Sequence, residues 1–216
     1  MENTPFTIEE KRPLRDDMTI SRDSKLGLKN KVTYFSLGKG TSISQEAYDH
    51  PTLYIGAKGC GTFIIGPNQD KVPLGENQCL IIPSSTLLGM ETIDGIIYTE
   101  IILEKEITMN NAVKTNEVFA LKNLISYEEG SIANMDVVSN DTMKYVLMAF
   151  DEGTGLTPHR APGNAIVFAL EGKATIGYEG KDYELKEGEC FRFEKNGLHS
   201  VTANGKFKMA LLLVLE

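Results

Sequence analysis

The chain has 216 residues, 41% of them hydrophobic and 24% charged, with 22 basic and 30 acidic side chains and a formal net charge of -8 at pH 7. This length allows one large domain or two small ones, and the composition is that of a folded globular protein. The acidic balance argues against nucleic acid or an anionic membrane as partner, so we expect a small-molecule ligand. Because no apolar run approaches the roughly 20 residues of a bilayer span and no signal-peptide pattern begins the chain, we expect a cytoplasmic protein.

The chain changes character after its first 30 residues. Residues 1–30 carry mixed charges without sustained periodicity, which predicts an N-terminal arm. From Lys31 onward, short apolar runs alternate with clusters of Gly, Pro, Asn and Asp, which predicts an all-β fold. The segment Val118–Tyr127 is open to two interpretations, a helix or a strand followed by a short turn of helix. The predicted strands are Val32–Leu37, Thr52–Ile55, Gly61–Ile65, Gln78–Ile82, Ile96–Leu103, Tyr145–Phe150, Ala165–Leu170, Ala174–Tyr178, Cys190–Phe193 and Phe207–Leu215.

The two halves of the chain align with each other. Gly59 falls on Gly172 and, after a loop that is shorter in the second half, Cys79 falls on Cys190. Such self-similarity indicates a duplicated unit. Since the two cysteines occupy equivalent strand positions, we expect them to fill the core as reduced thiols.

The repeat sets the predicted domain boundaries. The first copy spans 31–105, the second spans 142–216, and 106–141 forms a linker with lead-in strands. Each copy is small for an isolated hydrophobic core, so we expect the two copies to pack together, either within one chain or across a dimer.

The second copy contains two glycine-flanked motifs. The first runs from Gly155 through His159 to Gly172, and the second runs from Gly188 to His199. Together they resemble the paired motifs of the cupin superfamily, and the C-terminal half is most similar to small bacterial cupins with a conserved barrel domain. The resemblance implies an all-β bicupin with two tandem jelly-roll β-barrels, each a double-stranded β-helix. It also implies a homodimer, because cupin barrels commonly pair.

The resemblance further implies a metal centre, built in complete cupins from three histidines and one glutamate. His159 and His199 match two of these ligands, whereas Ala161 and Ala165 stand at the positions of the other two. Two imidazoles hold a divalent metal such as Zn, Mn, Fe or Ni weakly, and a firmer site needs a helper such as Asn164. His159 and His199 are therefore the candidate metal ligands, and both residues together with Asn164 are the candidate ligand-binding residues.

The first copy departs further from the motif. Glu46 and Tyr48 occupy the two His positions, Thr52 the Glu position and Leu88 the position of the last His, which predicts no metal in the N-terminal barrel. Glu46 and Tyr48 are interpreted as a hydrogen-bonded polar pair inside the barrel or at its mouth. His50 lies in an Asp-His-Pro turn and is predicted to be a surface loop residue.

Three functions remain open from the sequence. The first is a bicupin that binds a small polar or anionic metabolite in its C-terminal barrel, with or without a weakly held divalent metal. The alternative is an isomerase, epimerase or lyase for a sugar-like molecule, in which His159 or His199 serves as acid, base or metal ligand. A structural or dimerisation module is the third, and it leaves the two histidines unexplained.

Overall fold

The computed structural model of the chain describes residues 3–104 and 106–216. Regular structure in these residues is almost entirely β, apart from helix α1 (Ile8–Lys11) and a 3₁₀ helix over Leu121–Asn123. Neither helix is long and apolar enough to cross a membrane. The chain divides into an N-terminal unit, the described residues of 8–107 and 111–120, and a C-terminal unit, those of 1–7, 108–110 and 121–216.

The N-terminal unit is a jelly roll of antiparallel strands. Its strands pair in the order β1-β2-β8-β4-β6-β10 on one face, and β3-β7-β4-β5 on the other. The strands are β1 (Thr19–Asp23), β2 (Val32–Leu37), β3 (Ser42–Ala47), β4 (Thr52–Ile65), β5 (Asp70–Gly75), β6 (Gln78–Ile82), β7 (Leu87–Glu91) and β8 (Ile96–Ile102), followed by β9 (Thr108–Met109) of the C-terminal unit and β10 (Val118–Ala120) of the N-terminal unit.

The C-terminal unit repeats this architecture. A six-stranded sheet has the order β17-β14-β19-β12-β11-β9, and a four-stranded sheet has the order β13-β18-β15-β16. The all-β, two-unit fold predicted from the sequence is therefore confirmed. The strands are β11 (Ile132–Asn140), β12 (Met143–Phe150), β13 (Gly155–Arg160), β14 (Asn164–Glu171), β15 (Lys173–Tyr178), β16 (Lys181–Lys186), β17 (Cys190–Phe193), β18 (Leu198–Ala203) and β19 (Phe207–Val214).

One glycine in each unit carries the chain from one sheet to the other. The prediction of separate strands over Thr52–Ile55 and Gly61–Ile65 was wrong, because β4 is one strand of 14 residues. It turns the corner at Gly59, which has φ of +73°, and a Cβ there would overlap the carbonyl oxygen of Gly95. Gly172 has φ of +74° between β14 and β15. Glycine is suited to both corners because it adopts positive φ without steric cost.

Most strands that the sequence pattern missed lie in the second sheet of each unit. The residues of β3 and β13 are mostly exposed, and those of β5 and β16 are largely so. A strand whose side chains meet solvent lacks the apolar run on which the prediction rests.

The stretch 1–30, predicted as an N-terminal arm, contributes backbone pairing to folded units. Two backbone hydrogen bonds of 3.0 and 2.7 Å join Phe6 to Cys190 within the C-terminal unit. Strand β1 pairs along its whole length with β2 in the N-terminal unit. These pairings satisfy backbone groups at sheet edges.

The stretch 106–141, predicted as linker and lead-in strands, also contributes backbone pairing to the folded units. β9 pairs with β11 in the C-terminal unit, and β10 pairs with β6 in the N-terminal unit, where Phe119 lies opposite Cys79. For Val118–Tyr127, the structure has the second of the two interpretations, a strand followed by one turn of 3₁₀ helix.

Each unit has its own hydrophobic core. Cys79 and Cys190 are buried and form no disulfide, as predicted, and burial raises the pKa of the Cys79 thiol. The core of the N-terminal unit includes Leu37, Tyr54, Phe63, Leu74, Leu80, Ile96 and Tyr98, and that of the C-terminal unit includes Phe150, Val167, Ile176, Leu185, Phe191, Phe193 and Phe207.

A matched pair of truncations tests the burial of strand β8. Ile101 on β8 is fully buried, whereas Ile93 in the preceding turn is 80% exposed. We expect Ile101→Ala to lower the free energy of unfolding by about 2–5 kcal/mol. Ile93→Ala removes the same atoms from solvent-exposed surface and should change it by less than about 0.5 kcal/mol. Chemical denaturation measures both, and equal losses would contradict the placement of β8.

Candidate functional site

Strands β13 and β18 bring the two predicted histidines together. His159 lies directly opposite His199 in the antiparallel ladder, just after a register shift that follows Leu156. The two ring centroids are 4.3 Å apart, with 53° between the ring planes. Residues directly opposite in an antiparallel pair present their side chains on the same face, so strand pairing brings one position from each of the two motifs together.

The two imidazoles have different surroundings. His159 is exposed, whereas His199 is buried and stacks on Phe193 with ring centroids 4.2 Å apart. Burial lowers the pKa of His199, the hydrogen bond to the Gly197 carbonyl opposes this shift, and the adjacent His159 lowers the pKa further. His199 is therefore a neutral imidazole at pH 7.

Backbone carbonyls fix the tautomer of both rings. Nδ1 of His159 lies 2.8 Å from the Thr157 carbonyl oxygen, and Nδ1 of His199 lies 3.0 Å from that of Gly197. A carbonyl oxygen only accepts hydrogen bonds, so each Nδ1 carries the proton. The Nε2 of a neutral ring is then the acceptor, which suits it to bind a metal, accept a ligand's hydrogen bond or take up a proton.

Two charged residues beside the histidine pair, Arg160 and Glu179, interact with each other. Arg160 donates to the carbonyl of Asn196, and its Nη1 lies 3.6 Å from the Glu179 carboxylate. That carboxylate also accepts the backbone N–H of Leu198 at 2.6 Å. Arg160 and Glu179 thus offset each other's charge beside the site, although such an exposed pair adds little stability.

Asn164, the third predicted ligand-binding residue, fixes a loop. Its side-chain oxygen accepts the backbone N–H of Lys195 at 2.9 Å. The assignment of Asn164 to ligand binding stays a prediction.

The two histidines do not complete the metal centre that the cupin resemblance implies. Across the described ranges 3–104 and 106–216, no group of three or more His, Cys, Asp or Glu side chains converges as a metal site. Two imidazoles without a carboxylate do not fit the three or four protein ligands of a resident Zn, Mn, Fe or Ni ion.

The N-terminal unit contains a cavity that the sequence analysis missed. Its volume is about 240 Å³. His50, predicted to be a surface loop residue, lies in the bend between β3 and β4, where it is half-buried and contributes to the cavity wall. A signal was present, because every second residue from Glu46 to Tyr54 is polar or aromatic, which places these side chains on one face of an extended chain. The lining residues are Phe35, Ile43, Tyr48, His50, Thr52, Tyr54, Leu88, Gly89, Met90, Tyr98, Glu100 and Ile102.

Polar contacts line the outer part of this cavity. The Tyr48 hydroxyl donates to the Glu46 carboxylate at 3.0 Å, which confirms the predicted polar pair. The Tyr48 ring stacks on His50 with centroids 5.7 Å apart, and His50 Nδ1 lies 3.3 Å from the Thr52 hydroxyl. Glu46 lies opposite Leu88, the pairing that corresponds to the two histidines of the C-terminal unit.

A carboxylate lies deeper in the same cavity. Glu100 on β8 lies opposite Tyr54 on β4, and the Tyr54 hydroxyl is hydrogen-bonded to both Glu100 and Thr52. Burial raises the pKa of Glu100 to about 7, against the lowering effects of Lys31 and of the Tyr54 hydrogen bond. The Glu100 carboxyl group is therefore ionised in about half of the molecules near neutral pH.

Comparison with known proteins assigns the C-terminal half. Residues 146–215 match the family model described as Cupin domain. The matched residues lie within the C-terminal unit. The predicted resemblance is thereby confirmed, and this cupin domain contains both His159 and His199. No curated protein matches the chain in sequence.

Solved structures extend the cupin fold over both units. The cupin 2 conserved barrel domain protein from Leptotrichia buccalis is 25% identical, with a TM-score of 0.86, and the match covers 98% of this chain and 96% of that one. Salicylate 1,2-dioxygenase from Pseudaminobacter salicylatoxidans is 11% identical with a TM-score of 0.63, covering 86% of this chain and 71% of its own. At that identity, the likeness to the dioxygenase shows the fold alone.

The pH dependence of stability tests the neutral state of His199. Its pKa in the folded protein lies below the ordinary value of 6.5. The unfolded chain therefore takes up this proton first as the pH falls, which lowers the free energy of unfolding. His199→Gln removes this contribution, so the excess stability of wild type over His199→Gln should decrease from pH 7 to pH 5.

Chemical denaturation at several pH values measures this difference. Thr202→Ala, an exposed change on the same strand, is the control, and its difference from wild type should stay constant. A constant difference for His199→Gln as well would show that burial does not depress the imidazole pKa.

Proposed function

We propose that the C-terminal cupin domain binds a small polar metabolite through the paired Nε2 atoms of His159 and His199. The observation that supports this function is the fixed tautomer of both rings, whose centroids lie 4.3 Å apart. With both Nδ1 atoms bound to the backbone, each ring has its Nε2 left for a ligand, and the Nε2 of the neutral His199 is a hydrogen-bond acceptor. Ligand hydroxyl groups are its natural donors.

The charge of the preferred ligand follows from the protonation state of His199. A neutral His199 accepts hydrogen bonds from hydroxyl groups at pH 7, whereas a carboxylate needs a protonated imidazole as its donor. The site therefore favours a neutral, hydroxyl-bearing molecule at pH 7 and an anionic one only at acidic pH.

In this proposal, a divalent metal ion binds to the histidine pair only weakly and exchangeably. Two imidazoles and no carboxylate support weak binding of Zn, Mn, Fe or Ni, with water in the remaining positions.

A second candidate function is acid–base catalysis on the same ligand. The buried, neutral His199 has the properties of a general base, since its acceptor nitrogen is unprotonated at neutral pH. An isomerase or epimerase for a sugar-like molecule moves one proton between carbon atoms and needs such a group close to the substrate.

A homodimer is a separate part of the proposal. It rests on the pairing that is common among cupins, and light scattering of the full chain tests it.

The histidine pair is tested by NMR. The chain has three histidines, so long-range ¹H–¹⁵N spectra assign each ring with single His→Gln variants. We expect the Nδ1–H tautomer for both His159 and His199. A panel of neutral monosaccharides should shift Nε2 of these two rings at pH 7, lactate should bind only on acidification, and Zn²⁺ should bind weakly.

Two variants complete the test. His159→Ala should weaken monosaccharide binding at least tenfold, whereas Thr202→Ala should bind like wild type, because Thr202 is exposed on the outer face of the same strand. Unchanged binding in His159→Ala, or an Nε2–H tautomer in either ring, would refute the proposed site. Turnover of a bound sugar that His199→Gln abolishes would favour the enzyme.

A further inference from the structure

The interior of the N-terminal unit contains a polar pair that the fold does not require. Tyr54 lies opposite Glu100 where β4 pairs with β8. The corresponding strands of the C-terminal unit, β14 and β19, place Val167 opposite Leu211. Since an apolar pair serves this position in one unit, the Tyr54–Glu100 pair needs an explanation other than folding.

The positive charge of Lys31 only partly offsets the desolvation of Glu100. In the described part of the chain, no lysine, arginine or histidine forms an ion pair with its carboxylate, and Lys31, which lowers its pKa, is an exposed residue. A desolvated carboxylate without an ion-pair partner is costly, and a cation bound beside it lowers that cost.

The walls of the cavity suit the rest of such a cation. The rings of Phe35 and Tyr98 are stacked with centroids 5.1 Å apart, and the Tyr54 ring lies 5.9 Å from that of Tyr98. Aromatic faces attract ammonium groups, and aliphatic side chains complete the lining. The volume of about 240 Å³ lies below that of pockets for drug-sized ligands, so the ligand is small.

We propose that the cavity of the N-terminal unit binds a small organic ammonium ion, with Glu100 as its counter-charge. Tyr54 orients the carboxylate, and the aromatic rings contact the apolar part of the ligand. Glu46 adds a second negative charge near the mouth through its bond to Tyr48, so an anion is disfavoured. This site goes beyond the function proposed above, because it lies in the other unit and binds a cation rather than a neutral molecule.

The proposal carries a pH dependence. Burial raises the pKa of Glu100 to about 7, so the binding-competent carboxylate is the major form only above that pH. Affinity for an amine should therefore increase as the pH rises through 7 and decrease again when the amine loses its own proton. The titratable groups that face Glu100 are Tyr48, Tyr54 and Tyr98 on the cavity side and Lys31 on the exposed side. His50 lies farther out, in contact with Tyr48.

Calorimetric titration of the full chain tests the site with three probes of similar shape. These are n-butylammonium, its neutral analogue n-butanol and its anionic analogue butyrate. We expect n-butylammonium to bind best at pH 8 and about tenfold more weakly at pH 6, since the ionised fraction of Glu100 decreases by about that factor. Equal affinity for amine and alcohol, or stronger binding of butyrate, would overturn the proposal.

Variants locate the counter-charge. Glu100→Gln preserves the shape and should weaken n-butylammonium binding at least tenfold at pH 8 and abolish its pH dependence. Glu76→Gln, a change at an exposed turn, is the matched control and should bind like wild type. Unchanged binding in Glu100→Gln would refute the site, and if that variant does not fold, the comparison of probes in wild type still decides.

The two sites are separated by one further comparison. His159→Ala should retain wild-type affinity for n-butylammonium even when it loses the monosaccharide, so the failure of one proposal is distinguishable from the failure of the other.

Discussion

Each unit depends on a glycine that lets the chain cross from one sheet to the other. At Gly59 and Gly172, φ is +73° and +74°, a conformation that other residues rarely adopt. Because the chain changes sheets at this glycine, the residues before it pair in one sheet and the residues after it pair in the other. The two sheets enclose the interior of the unit. Alternation along the strands then decides which side chains enter that interior.

The two units carry their polar groups at different positions of the same fold. In the C-terminal unit, the polar pair is His159 with His199, at strands β13 and β18. The N-terminal unit has Glu46 and Leu88 at those positions and places its polar group deeper, at Glu100 on β8. The two units share one fold, but different residues at their polar positions give one unit a pair of imidazoles and the other a desolvated carboxyl group.

The parts of the fold that could be predicted are those encoded over short distances. Gly59 and Gly172 indicate the repeat. The spacing from Gly155 to His159 indicates the cupin resemblance, because both residues lie within one motif. Apolar runs mark the buried strands, whereas solvent-facing strands such as β3 and β13 carry no such pattern. The stretches 1–30 and 106–141 were hard to assign because their pairing partners, such as Cys190 for Phe6, are far away in the sequence.

The sequence alone therefore determined the all-β repeat, the cupin resemblance and the choice of His159 and His199, because each rests on residue types at fixed local spacing. Only the tertiary structure decided that both Nδ1 atoms are held by backbone carbonyls, since tautomer depends on what lies beside the ring. The same holds for Glu100, an ordinary glutamate in a hydrophobic strand until β4 brings Tyr54 against it. Burial and charge compensation are properties of the folded surroundings, and a linear pattern does not contain them.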